Sequence, residues 1–199
     1  MIQCTRHSEK LLKNLKKFNA ETYYHSLRIK NLTLQMIHHM QRQTMETLYT
    51  DGEITAICKG AVFHDIGRLF IKNCVLTKRG ALSGEEYEAM AAHTVKGYEV
   101  LKDDLDPSES QIVLNICLYH HHKISADEDE ENPSLPLYVQ IVSICDVFDA
   151  LRHDRIYRAA ICREEALDMI ERGDCGTFSP KLVECLRAVT SQTNRDDYM

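Results

Sequence analysis

Apolar positions recur at three- and four-residue intervals along most of the chain, the spacing of helices that pack through one face. Leu11, Leu12, Leu15 and Phe18 form such a stripe between Ser8 and Asn19, with lysines opposite and Ser8 as a candidate N-cap. Tyr24, Leu27, Leu32, Met36 and Met40 continue the pattern from Ala20 to about Gln41. After a turn at Asp51-Gly52, the segment Ile54 to Ile66 is apolar nearly all round, which predicts a buried helix stopped by Gly67. Ser83 with Glu86 is a capping-box pair opening a helix from Gly84 to Leu101, and Pro107 suits the first turn of another reaching about His121. Leu137 to Leu151, then Arg163 to Arg172 with Gly173 as its stop, are further helices. Ser179-Pro180 opens a last one to about Val189. The expectation is an all-α chain of about eight helices.

Composition agrees. A length of 199 residues suits one domain, and only 8 Gly and 4 Pro leave few forced turns. A hydrophobic share of 44% excludes a disordered chain, and a net charge of −6 weighs against a nucleic acid polymer as partner. The 8 cysteines are scattered without a C-x-x-C, so they read as small core residues in a reducing compartment, not as a zinc knuckle or disulfide framework. The N-terminal stretch lacks the apolar core of a signal peptide, and no run approaches the ~20 apolar residues of a membrane span. A cytoplasmic location without a membrane partner is expected. One segment breaks the pattern: residues 125–136 carry five consecutive acids, Asp127 to Glu131, and two prolines, and read as a solvated loop. No phosphate-binding glycine loop is present.

Histidine is the surplus residue, with 10 in a chain that has no Trp. Glu21 and His25 are four apart and share a helix face. His64 and Asp65 end the buried helix, His93 lies in the helix after Ser83, and His120 and His121 close NICLYHH. Asp146 stands in the apolar run IVSICDVFDAL, where an unpaired carboxylate is costly to bury. Imidazole and carboxylate converging from separate helices suit Mn, Fe, Co, Ni or Zn.

FHDIGRLFIKNCVLTKRGALSGEEYEAMAAHTVKGYEVL, then LYHHHK, LPLYVQIVSICDVFDALRHDRIYRAA, EEALDMI and TFSPKLVE, follow one another in a recognisable order and spacing. In these segments, from about Glu21 to Leu186, the chain resembles the HD-GYP branch of the HD metal-dependent phosphohydrolase superfamily. The resemblance implies an HD-type helical bundle around a polynuclear metal site. It also implies a phosphohydrolase domain over 20–190, an N-terminal amphipathic helix over 1–19 and a polar tail over 191–199.

By the same resemblance the metal ligands are His25, His64, Asp65, His93, His120, His121 and Asp146, with Asp65 bridging. Glu21 stands where some members hold a third ion. His122 leaves open whether the histidine pair is 120/121 or 121/122. Two or three divalent ions are implied, Fe or Mn in the first place, with Zn, Ni, Co or Mg as alternatives. Arg68 replaces the usual Lys after HDIG and would meet substrate phosphate, as would Arg155, with Tyr157 beside it. Asp149 reads as an orienting residue. The loop after the histidines departs from the branch's D-G-x-G-Y-P. The implied function is a phosphodiesterase for cyclic di-GMP or a related cyclic dinucleotide. A hydrolase of nucleoside monophosphates or other small phosphate esters, and a catalytically weak nucleotide- or partner-binding protein, are the alternatives. The acidic loop 125–136 would be a partner surface, and the first helix could pair with a second copy.

Overall fold

The computed structural model describes residues 5–122, 135–154 and 159–191. Every regular element among them is helical: α1 (Arg6–Phe18), α2 (Ala20–Thr44), α3 (Asp51–Phe63), a 3-10 turn (Ile66–Phe70), α4 (Asn73–Leu76), α5 (Gly84–Ala91), α6 (His93–Leu101), α7 (Pro107–Tyr119), α8 (Leu137–Arg152), α9 (Arg163–Glu171) and α10 (Pro180–Ser191). No helix among the described residues is long and apolar enough to cross a membrane.

The starts of these helices follow their caps. Asn19 accepts from the Thr22 amide at the head of α2, and Ser83 with Glu86 closes a reciprocal capping box on α5. Asp106 caps α7 ahead of Pro107. Asp51-Gly52 is not a turn but the first turn of α3, because Thr50 and Glu53 form a second capping box one position earlier. At the far end of α9, Gly173 takes a positive φ of 80° and its amide returns to the Ile170 carbonyl.

Two apolar clusters hold the bundle together. The larger joins Ile29 and Met36 of α2, Ile57 of α3, Ile141 and Ile144 of α8, Leu167 of α9 and Leu186 of α10. The smaller joins Leu11 and Leu15 of α1, Phe63 of α3, Ile66, Leu101 of α6 and Val113 of α7. Leu11 and Leu15 of the α1 stripe are thus buried inside their own chain, while Phe18 at its end stays exposed. Cys58, Cys117, Cys145 and Cys185 are buried, whereas Cys74 and Cys162 are exposed.

Helix α3 belongs to both clusters, and two glycines let it and the turn after it approach their neighbours closely. A Cβ on Gly60 would lie 2.4 Å from Ile116 Cδ1 of α7. A Cβ on Gly67 would lie 1.9 Å from the His93 carbonyl oxygen of α6. Gly67 therefore does not act as a left-handed helix stop. It sits inside the 3-10 turn, where α6 leaves no room for a side chain. The same contact marks the break between α5 and α6, which the helical pattern alone runs together as a single helix.

Candidate metal centre

Four helices and the segment after α3 deliver their titratable side chains to one place. α2 contributes His25, and the residues that follow α3 contribute His64 and Asp65. α6 begins with His93, α7 is followed by His120 and His121, and α8 carries Asp146 and Asp149. His25, His64, Asp65, His93, His120, Asp146 and Asp149 are all buried.

Four of the rings are held in the same way. Nδ1 of His64 donates to the Ala61 carbonyl at 2.8 Å, and that of His93 to the Met90 carbonyl at 2.6 Å. His120 Nδ1 donates to the Ile116 carbonyl at 3.0 Å, and His25 Nδ1 meets Asp149 Oδ2 at 2.6 Å. A carbonyl oxygen can only accept, so in neutral His64, His93 and His120 Nδ1 carries the proton and Nε2 presents a lone pair, and His25 does the same once its Nε2 gives up its proton. Those lone pairs converge on Asp65. His93 and His120 Nε2 lie 3.2 and 4.0 Å from its Oδ1, and His64 and His25 Nε2 lie 3.4 and 3.9 Å from its Oδ2. His93 and His120 Nε2 are 3.4 Å apart, a contact between two lone pairs unless a cation lies between them.

The donor atoms form two groups, Asp65 with His93, His120 and His121, and His25 with His64 and Asp146. Seven buried side-chain polar atoms among the described residues lack a hydrogen bond, and five are here: Arg68 Nε, which is only ion-paired to Asp65, and four atoms able to ligate a metal, both Asp65 oxygens, His25 Nε2 and His64 Nε2. Orphans are rare in folded proteins and costly when buried. Their convergence fits a set of ligands for metal, and the protonation states fit as well. Burial lowers the pKa of His93 and, further, that of His120, which keeps both rings neutral. Burial would raise the carboxyls of Asp65 and Asp146, yet Arg68 and His64 hold Asp65 well below the usual range, and His25 does so for Asp146. His25 is the exception: burial disfavours its charged form, but with no ion present the carboxylates of Asp146, 3.0 Å from Nε2, and Asp149 prevail and raise it to about 9, so a cation held at Nε2 would displace a proton.

The HD domain family matches residues 22–151. The chain belongs to that family. A cyclic di-GMP phosphodiesterase of Vibrio cholerae is 30% identical over 85% of this chain and 36% of its own length. One of Thermotoga maritima is 33% identical over 66% of this chain and 36% of its own. The chain thus spans about a third of the length of these relatives. Among solved structures, the HD domain of the L. monocytogenes phosphodiesterase PgpH superposes with a TM-score of 0.61 at 18% identity, covering 95% of this chain and 99% of that one. The same domain has been solved with cyclic-di-AMP.

Most residues singled out in the HD sequence come together. His121 is half exposed at the edge of the centre, with Nδ1 3.7 Å from Asp146 Oδ2, while His122 turns away to pack on the Tyr119 ring. The pair facing this HD site is therefore 120/121. Arg68 leans in from the 3-10 turn, its Nε 2.9 Å from Asp65 Oδ1. Glu21 stays outside: its side chain is 52% exposed, it pairs with Arg28 at 2.9 Å, and it belongs to neither donor group. Arg155, Tyr157 and residues 125–134 of the acidic loop lie outside the described residues. Helical spacing gave no reason to single out Arg28, three residues after His25. The signal available was that same i,i+3 spacing, which places a cation beside the ligand's helix face.

Proposed function

We propose that this HD domain is a metal-dependent phosphodiesterase that hydrolyses cyclic di-GMP or a related cyclic dinucleotide, with residues 20–190 as the catalytic unit. The observation that carries the reading is the carboxylate of Asp65, whose two oxygens face two separate groups of imidazole lone pairs. The names of the V. cholerae and T. maritima relatives support the substrate class, and the cyclic-di-AMP complex of the L. monocytogenes domain extends it.

Asp65 would bridge two divalent ions, Fe or Mn in the first place. His93, His120 and His121 would hold one of them, and His25, His64 and Asp146 the other. Such ions supply activation of water near neutral pH and Lewis-acid polarisation of a phosphoryl group. The chain itself does the orienting. Each Nδ1–H bond to a carbonyl or to Asp149 fixes a ring and raises its basicity as a ligand. Arg68 places a permanent positive charge beside Asp65, where it can grip a phosphate oxygen and offset charge developing in the transition state. Arg155 and Tyr157 complete the proposed phosphate contacts.

The test combines metal analysis of anaerobically purified protein with turnover of cyclic di-GMP, cyclic di-AMP and a panel of nucleoside monophosphates. Bound ions and release of a linear dinucleotide are expected. Asp65→Ala should lose both metal and turnover, since one carboxylate serves both groups. Phosphate release from monophosphates alone would overturn the substrate class, and turnover that survives Asp65→Ala would overturn the bridge.

A further inference from the structure

Behind His25 lies an ion network of which the proposed reaction uses only the Asp149 contact to that ring. Asp149 Oδ2 accepts from His25 Nδ1 at 2.6 Å, and both of its oxygens accept from Arg28, Oδ1 from Nε at 2.8 Å and Oδ2 from a terminal nitrogen at 2.9 Å. That same terminal nitrogen also donates to Glu21 Oε1 at 2.9 Å. His153 closes the group on its outer side, with Nδ1 donating to the Asp149 backbone carbonyl at 3.0 Å. Arg28 and Asp149 are both buried, so the planar guanidinium is a fixed charge clamped between two carboxylates.

We infer that Arg28 is a positioning residue that takes the place of a third cation, so that this centre holds two ions and Glu21 is not a metal ligand. The inference rests on the metal-centre reading above. Three observations lead to it. Glu21 is already neutralised by a guanidinium that cannot lose its proton. Both Asp149 oxygens are engaged by Arg28, and one of them by His25 as well, so Asp149 acts through His25 and belongs to neither donor group. A divalent ion drawn to the paired Glu21 oxygen would compete with the guanidinium, and like charge between the two repels it. Arg28 therefore does two things with one side chain. It withholds Glu21 from the metals, and it fixes the carboxylate that orients His25.

Titration of the metal-free chain with Mn²⁺, followed by the six-line electron paramagnetic resonance signal of the free ion, counts bound ions and ranks their affinities without any substrate. Two ions per chain are expected, and still two in Glu21→Gln. Arg28→Met should weaken one of the two ions by roughly 10- to 100-fold, the usual effect of losing a ligand's outer partner. Arg28→Lys, which keeps the charge but not the two-pronged grip, should fall between Arg28→Met and the parent. If Arg28→Met does not fold, Arg28→Lys and Asp149→Asn carry the measurement, and both should weaken the same ion. Three ions in the parent with two in Glu21→Gln would overturn this inference and leave the two-group centre standing. So would Arg28 variants that melt earlier yet bind both ions at parental affinity. No bound ion at all would overturn the metal-centre reading and this inference with it.

Discussion

Gly67→Ala tests the contact on which the geometry of the centre depends. The added Cβ would lie 1.9 Å from the His93 carbonyl oxygen, 2.6 Å from the Gly97 nitrogen and 2.8 Å from the His93 carbonyl carbon. All three atoms are backbone, so no side chain can swing aside. A close carbon–oxygen contact is about 3.3 Å, which means the 3-10 turn and α6 must part by roughly 1.4 Å. These two segments carry Asp65 and His93, whose facing atoms are 3.2 Å apart. Metal sites tolerate ligand displacements of only about 0.2 Å, so the opening should cost binding on the Asp65, His93, His120 and His121 side heavily. Overpacking of this kind destabilises by about 1–3 kcal/mol. At ~2–4 °C per kcal/mol for a chain of this size, the melting temperature should fall by several degrees. Thermal unfolding of metal-free protein and Mn²⁺ titration measure the two effects. Gly80→Ala is the control, because its Cβ would meet nothing within 4 Å. A Gly67→Ala protein that melts with Gly80→Ala and binds the full complement of metal would refute the reasoning.

Two further perturbations probe the frame around the centre. Lys59 of α3 and Glu109 of α7 form an ion pair with side chains only 4% and 17% exposed. Lys59→Met leaves the carboxylate without its cation and should cost about 3 kcal/mol in urea unfolding, whereas Lys59→Met with Glu109→Leu should recover most of it. Equal losses in the single and double variants would contradict that account. Asp104 accepts from Ser8 and Thr5 at the head of α1, and, although partial burial opposes it, these hydroxyls hold its carboxyl below the usual 3.8. A depressed carboxyl stabilises above its unfolded value and loses that contribution as pH falls through the folded one. Protection of the α1 amides, taken relative to their intrinsic exchange rate, should therefore fall below about pH 3.8. Asp104→Asn should show the faster exchange at neutral pH, and identical α1 exchange in parent and variant would count against the anchor.

Helix positions were legible because their information is local. Ser83 with Glu86 and Asp106 with Pro107 mark real starts, and apolar periodicity finds the buried faces of α2, α3 and α8. What local reasoning misses has tertiary causes. α4 has only four residues, too few to show a period. The gap between α5 and α6 contains no breaker in sequence; it falls at Ala92, beside the His93 backbone that Gly67 approaches. The seven ligand candidates apart from Glu21 lie in the two donor groups, because His-Asp and His-His at the ends of apolar helices leave few other roles. Glu21 shows the opposite case. Its i,i+4 relation to His25 is correct, but the partner that claims its carboxylate is Arg28, one turn further along the same helix.

The ends of α3 and α7 have a consequence beyond ring orientation. His64 and His120 stand at the C-caps of these two helices, so both helices point their carboxyl ends at the same volume. Each such end behaves as roughly half a negative charge from its aligned peptide dipoles. At His64 and His120 the Nδ1–H donates to a carbonyl of the last turn, and the ring carries the resulting polarisation to Nε2. The two helix ends together thus act as about one further negative charge that substitution of side chains leaves in place. Attraction for a cation at this point is a property of the helical scaffold as well as of its ligands.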